Sequence, residues 1–73
     1  MLRVRKDIDL KTLEDYNFKN MIFSNVYRYE GKDTSIYVNK KDRTLSVGNF
    51  IDGNIQDLSI IYKLSINKII EEI

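Results

Sequence analysis

The chain has no cysteine, no histidine, no tryptophan and no proline, and only three of its 73 residues are glycine. Each absence removes a class of answers. Without cysteine, neither a disulfide framework nor a thiolate metal site can staple so small a fold. Without histidine or cysteine, the commonest general base and the best nucleophile are missing, which leaves carboxylates, Lys, Tyr, Ser and Thr for any catalysis. Gly31, Gly48 and Gly53 match no phosphate-cradling pattern, and a turn explains each of them. Long hydrophobic runs are lacking as well. No segment approaches a bilayer span, and Asp7-Ile8-Asp9 stands where a secretory core would follow the basic start. The expectation is a cytoplasmic, non-enzymatic protein with no cofactor, no metal and no membrane partner.

An excess of one charge is also missing. Twelve basic residues face eleven acidic ones, a net charge of +1. A dedicated duplex-binding domain carries a clear basic excess, because neutralising phosphates drives that binding. Here the charge is dispersed, with Arg3, Arg5 and Lys6 at one end and Glu71 and Glu72 at the other. A solvated surface accounts for this pattern. Seventy-three residues make one domain, 1–73, of a size at which a single core is barely sufficient.

What is present is alternation. Asn25-Val26-Tyr27-Arg28-Tyr29-Glu30, Ser35-Ile36-Tyr37-Val38-Asn39 and Arg43-Thr44-Leu45-Ser46-Val47 each have period two, and turn-forming stretches separate them. This predicts an antiparallel meander over 25–48 with one dry and one wet face. Tyr27, Tyr29, Ile36, Val38, Leu45 and Val47 form the dry set. Val26, Arg28, Glu30, Ser35, Tyr37, Asn39, Thr44 and Ser46 form the wet set, and a one-residue slip would exchange the two. Met1 to Lys6 also alternates, placing Leu2 and Val4 inward in a fourth short strand.

Two helices flank the meander in this reading. Asp9 stands where an N-cap carboxylate belongs, Ile8 and Leu13 fit a hydrophobic staple, and Leu10 and Leu13 supply a buried stripe near Tyr16. Asn17 suits a left-handed helix end, and Phe18 turns back into the core. A second, longer helix follows Asn54, its N-cap, with Asp57 three residues on; Ile55, Leu58, Tyr62, Ile66, Ile69 and Ile73 share one face. Run to Ile73, that helix is about 28 Å long, against roughly 17–20 Å for the strands. Either its end meets a second copy through Ile66, Ile69, Ile70 and Ile73, or the helix stops near Ser65 and the last segment folds back. Glu71 and Glu72 at the negative end of the helix dipole favour the early stop. The fold class is α+β: a three- to four-stranded antiparallel sheet with both helices on one face.

Candidate chemistry is sparse. Asp7 with Asp9, Glu14 with Asp15, and Asp52 with Asp57 are the carboxylate pairs, and caps, turns and solvated helix positions explain all of them. The wet face offers Tyr37 beside Arg28, with Lys32, Lys40, Lys41 and Arg43 in the adjoining loops. These six are the candidate partner-binding residues. An aromatic with a basic rim is also how single-stranded nucleic acid is held on a sheet, although Glu30, Asp33 and Asp42 dilute that rim.

The stretch Asp9-Leu10-Lys11-Thr12-Leu13-Glu14-Asp15-Tyr16-Asn17-Phe18 resembles the "DL-x-x-L-x-x-YGF" opening of small phage and prophage proteins of low-GC Gram-positive bacteria. Tyr27-Arg28-Tyr29, Ile36-Tyr37-Val38, Arg43-Thr44-Leu45 and Leu58 to Leu64 look similar to the remainder of such proteins. Asn17 replaces their glycine. The resemblance implies a phage accessory role, with a host or defence protein as the partner to be inhibited or modulated by surface occlusion. It carries over no functional residues. A nucleic-acid-binding protein and a structural homo-oligomer are the alternatives.

Overall fold

The structure is a computed structural model that describes residues 1–31, 34–48 and 59–73. In chain order it contains β1 (Leu2–Val4), a 3-10 helix (Leu10–Tyr16), β2 (Lys19–Met21), β3 (Val26–Glu30), β4 (Ser35–Asn39), β5 (Leu45–Gly48), α1 (Ser59–Ile66) and β6 (Ile70–Glu72). Strands β2-β3-β4-β5 form one antiparallel sheet, and β1 pairs with β6 in a second. The α+β class and the meander are as the alternation requires. The cap residues Asn54 and Asp57 lie outside the described residues, as do Asp52, Gly53, Ile55 and Leu58.

The meander keeps the expected register. Tyr27 stands opposite Val38 and Val38 opposite Leu45, while Arg28 stands opposite Tyr37 and Tyr37 opposite Ser46. Tyr27, Ile36 and Val38 are buried, with Tyr29 and Leu45 packed against them. Two residues depart from the face assignment. Val47, on the strand that ends the larger sheet among the described residues, remains 37% exposed. Ser35, assigned to water, is buried because it sits on an interior strand between Glu30 and Gly48.

The first helix is a 3-10 helix, with three residues per turn, so Leu10, Leu13 and Tyr16 at intervals of three fall on a single line. Leu13 is fully buried and the other two pack against the core. Asp9 caps it by accepting the Lys11 N–H at 2.9 Å. At its end Asn17 takes a left-handed conformation (φ 69°), its N–H donates to Glu14 O, and the Phe18 N–H donates to Leu13 O at 3.2 Å.

Helix α1 ends by the same device. Lys68 has φ 58°, its N–H donates to Ser65 O, and the Ile69 N–H donates to Leu64 O at 2.9 Å. Both ends therefore show the six-to-one and five-to-two bonds of a Schellman motif, each closed by a buried pair: Leu13 with Phe18, and Leu64 with Ile69. Each motif reverses the chain into a strand, β2 after the 3-10 helix and β6 after α1. The reading in which the helix runs on to Ile73 is thus corrected: the fold-back holds. Ile69 and Ile70, proposed for self-association, are core residues at 6% exposure, and only Ile66 and Ile73 of that set remain exposed.

Strand β6 pairs with β1 so that Val4 faces Ile70 and Arg3 faces Glu71, whose side chains form an ion pair at 2.8 Å. The two sheets meet where Arg3 bridges Thr44 and the Val4 N–H donates to Arg43 O at 2.8 Å. The core joins Val4, Leu13, Phe18, Tyr27, Ile36, Val38, Ile60, Leu64, Ile69 and Ile70 on the inner face. Among the described residues, no helix is long and apolar enough to cross a membrane.

Lys68 adopts a conformation that costs a side-chain-bearing residue about 1 kcal/mol relative to glycine. Lys68→Gly is expected to raise the melting temperature by a few degrees, and Lys68→Val to lower it by at least as much. Thermal denaturation checks the order; a glycine variant less stable than wild type would contradict the assigned helix end.

Candidate functional site

The outer face of the larger sheet carries one straight cross-strand row: Lys19, Arg28, Tyr37 and Ser46, contributed by β2, β3, β4 and β5. It exists because the period-two pattern sends every second residue outward and the register aligns them. Arg28 lies over the Tyr37 ring, its guanidinium carbon 5.9 Å from the centroid. Its Nη2 donates to the Glu30 carboxylate at 3.0 Å, while its Nε is buried with no hydrogen-bond partner. Tyr37 in turn rests over Gly48: a Cβ added there would stand 3.2 Å from the ring. The absent side chain at Gly48 leaves room for the ring against the outer strand. Lys19 and Arg28, like charges directly opposite one another, form an unfavourable pair that Glu30 offsets in part. Asn17, Lys19, Met21, Arg28 and Glu30 line a cleft of about 430 Å³ at this edge.

The six candidate residues do not assemble into one patch. Arg28 and Tyr37 adjoin as expected, and Lys32 lies outside the described residues. Lys41 is exposed in the β4–β5 turn, its N–H donating to Asn39 Oδ1 at 2.7 Å. Lys40 is a structural tether: its ammonium donates to Met21 O and Ser24 O, both at 3.2 Å, and so holds the β2–β3 turn. Arg43 is a second tether. Its Nη1 donates to Arg5 O at 2.7 Å and to Ile8 O at 2.5 Å, joining the N-terminal segment to the meander. Both cations are fastened to backbone carbonyls, so a partner that took over those donors would loosen the fold.

Three residues with functional potential escape the sequence reading. Lys19 falls in β2, a three-residue strand too short to show a period. Ile22 and Phe23 form the tip of the β2–β3 hairpin and are 80% and 102% exposed. Two adjacent apolar residues just before the first alternating run were the available signal.

Two of the candidate carboxylates have structural roles. Asp7 pairs with Arg5 at 3.1 Å and Asp9 caps a helix, while Asp52 and Asp57 lie outside the described residues. Among the described residues no three His, Cys, Asp or Glu side chains are grouped to hold a metal ion. Among the described residues, two titrations are perturbed. Burial, followed by the nearby Glu14 and Asp9 charges, pushes the Tyr27 hydroxyl up. Asp42 is held below the ordinary carboxylate value chiefly by the Thr44 N–H at 3.0 Å, then by the Thr44 hydroxyl at 2.7 Å. Compared with protein-family models, curated proteins and solved structures, the chain matches none.

Arg43→Ala is expected to destabilise the protein by about 1–3 kcal/mol, since two carbonyls lose a charged donor. Lys41→Ala should stay within about 0.5 kcal/mol of wild type. Denaturant titration of both separates a tether from a free cation, and equal effects would overturn that distinction.

Because its folded pKa is depressed, Asp42 stabilises the turn fully above the unfolded carboxylate pKa, near 3.9, and loses that effect as pH falls through the lower folded value. The Thr44 amide resonance should therefore titrate with a midpoint below about 3.9 and should stop titrating in Asp42→Asn. A midpoint at or above that value would contradict the turn geometry.

Proposed function

We propose that this chain is a non-enzymatic protein-binding module whose working surface is the outer-face row around Arg28 and Tyr37, and that it acts by occluding a partner's surface. The observation that carries this reading is the arrangement at β2 and β3. Two cations stand directly opposite each other at the rim of a cleft, and one of them is laid over an aromatic ring. Like charges so placed disfavour the isolated fold, and a partner carboxylate entering the cleft relieves them. Arg and Tyr are also the residue types that dominate protein interfaces. Lys41 lies exposed at the end of the same sheet, apart from the cleft. The resemblance to phage accessory proteins supports an inhibitor or modulator of a host or defence protein, working in the host cytoplasm.

A second reading uses the same row. Tyr37 beside Arg28 provides a stacking platform for a single-stranded nucleic acid. Salt separates the two, because phosphate binding weakens steeply as ionic strength rises.

The test is affinity capture from host lysate on immobilised wild-type protein and on the Arg28→Glu, Tyr37→Ala double variant, with circular dichroism confirming that both are folded. The expected result is a partner retained by wild type and lost from the variant by at least about tenfold. Undiminished capture by the folded variant would remove this face from the reading. A steeply salt-sensitive shift of a labelled oligonucleotide would replace the protein partner with nucleic acid.

A further inference from the structure

The β2–β3 hairpin ends in a tip that the fold holds firmly and leaves bare. The Ser24 N–H donates to Met21 O at 2.9 Å, closing the turn, and the Lys40 N–H donates to Asn25 O at 2.8 Å. The Lys40 ammonium clamps Met21 O and Ser24 O from the side. Phe23 is nonetheless fully exposed and Ile22 nearly so. A small soluble surface tolerates single exposed apolar residues, but two large neighbours at the end of a braced projection form a wedge.

The charge around this wedge is uneven. The β2–β3 and β4–β5 turns lie at the same end of the sheet, as the Lys40 bonds require, and Arg43 brings the segment from Arg5 to Ile8 to that end. Lys40 and Lys41 stand toward the base of the tip, and Arg5, Lys6 and Arg43 lie at the same end of the sheet on its other edge, against Asp7 and Asp42 and, near Tyr27, Asp9 and Glu14. At the far end of the strands stand Glu30 and, beside Asn17, the helix residue Asp15, with Lys63 nearby. The apolar tip thus projects beside Lys40, with Lys41 in the adjoining turn.

We infer that the Ile22–Phe23 tip inserts into the interface of an anionic phospholipid surface, docking the protein peripherally with Lys40 and Lys41 toward the headgroups. A convex apolar projection needs no preformed pocket in a fluid interface, and aromatic and aliphatic side chains partition there while nearby cations are drawn to anionic lipid. Nothing spans the bilayer in this arrangement, and the outer-face row is a separate surface. The inference is therefore independent of the proposed protein-binding function.

The chain has no tryptophan, so Phe23→Trp places a single reporter at the tip. Vesicles of equal parts phosphatidylcholine and phosphatidylglycerol are expected to shift its emission to the blue and shield it from a water-soluble quencher. Pure phosphatidylcholine and high salt should weaken both effects. In vesicle sedimentation of the otherwise unmodified chain, Phe23→Ser should lower the apparent partition constant by about tenfold or more. Exposed at the tip, these substitutions leave the core untouched, and circular dichroism verifies that. Emission unchanged at saturating anionic lipid would overturn the inference, as would sedimentation indifferent to Phe23→Ser. A blue shift that grows with protein concentration in the absence of lipid would overturn it in favour of a second copy covering the tip.

Discussion

Arg43 is the joint on which the two halves of the structure depend. Its N–H donates to Asn39 O, its carbonyl accepts from the Val4 N–H, and its guanidinium holds the carbonyls of Arg5 and Ile8. The backbone reaches all of these only with φ at 67°, in the left-handed region that most side chains avoid. One residue therefore closes the β4–β5 turn, starts the contact between the two sheets and anchors the entry to the 3-10 helix. Strand β6 reaches the meander through the same joint, because it pairs with β1. In a chain with no disulfide, such backbone-directed tethers substitute for covalent closure.

Both helices are built for reversal. Asn17 and Lys68 occupy equivalent left-handed positions, and Phe18 and Ile69 each fall back onto the leucine five residues earlier. The hydrogen bonds satisfy carbonyls that a helix end otherwise leaves open, and the apolar pair buries the corner. These two corners deliver β2 to the edge of the larger sheet and β6 to the smaller one. The surplus isoleucines near the C-terminus find their place in this way. Ile69 and Ile70 complete the core of the same chain rather than a second copy's.

The outer face shows how the fold distinguishes residues that look alike in sequence. Lys40, Lys41 and Arg43 lie within four positions, yet two are fastened to carbonyls and one projects into solvent. Arg28 and Tyr37 were legible as a pair, since period two places both outward and the short connection between their strands aligns them. Lys19 was not, because a strand of three residues has too few positions to reveal its period. Ile22 and Phe23 were visible as apolar letters, but only the turn geometry turns them away from the core.

The sequence by itself determined the meander, its inner face around Ile36 and Val38, the Asp9 cap, the Asn17 helix end and the inward alternation of β1. All of these are local: they follow from period, cap chemistry and the φ tolerance of single residues. Only the tertiary structure decided where α1 ends, because lysine is a poor marker of a left-handed position and Lys68 adopts it for the burial of Ile69. Tertiary structure also paired the chain's two ends, assigned Arg43 to carbonyls thirty-five and thirty-eight positions away, and left the hairpin tip bare. Those outcomes depend on which distant groups meet, and no local pattern encodes that.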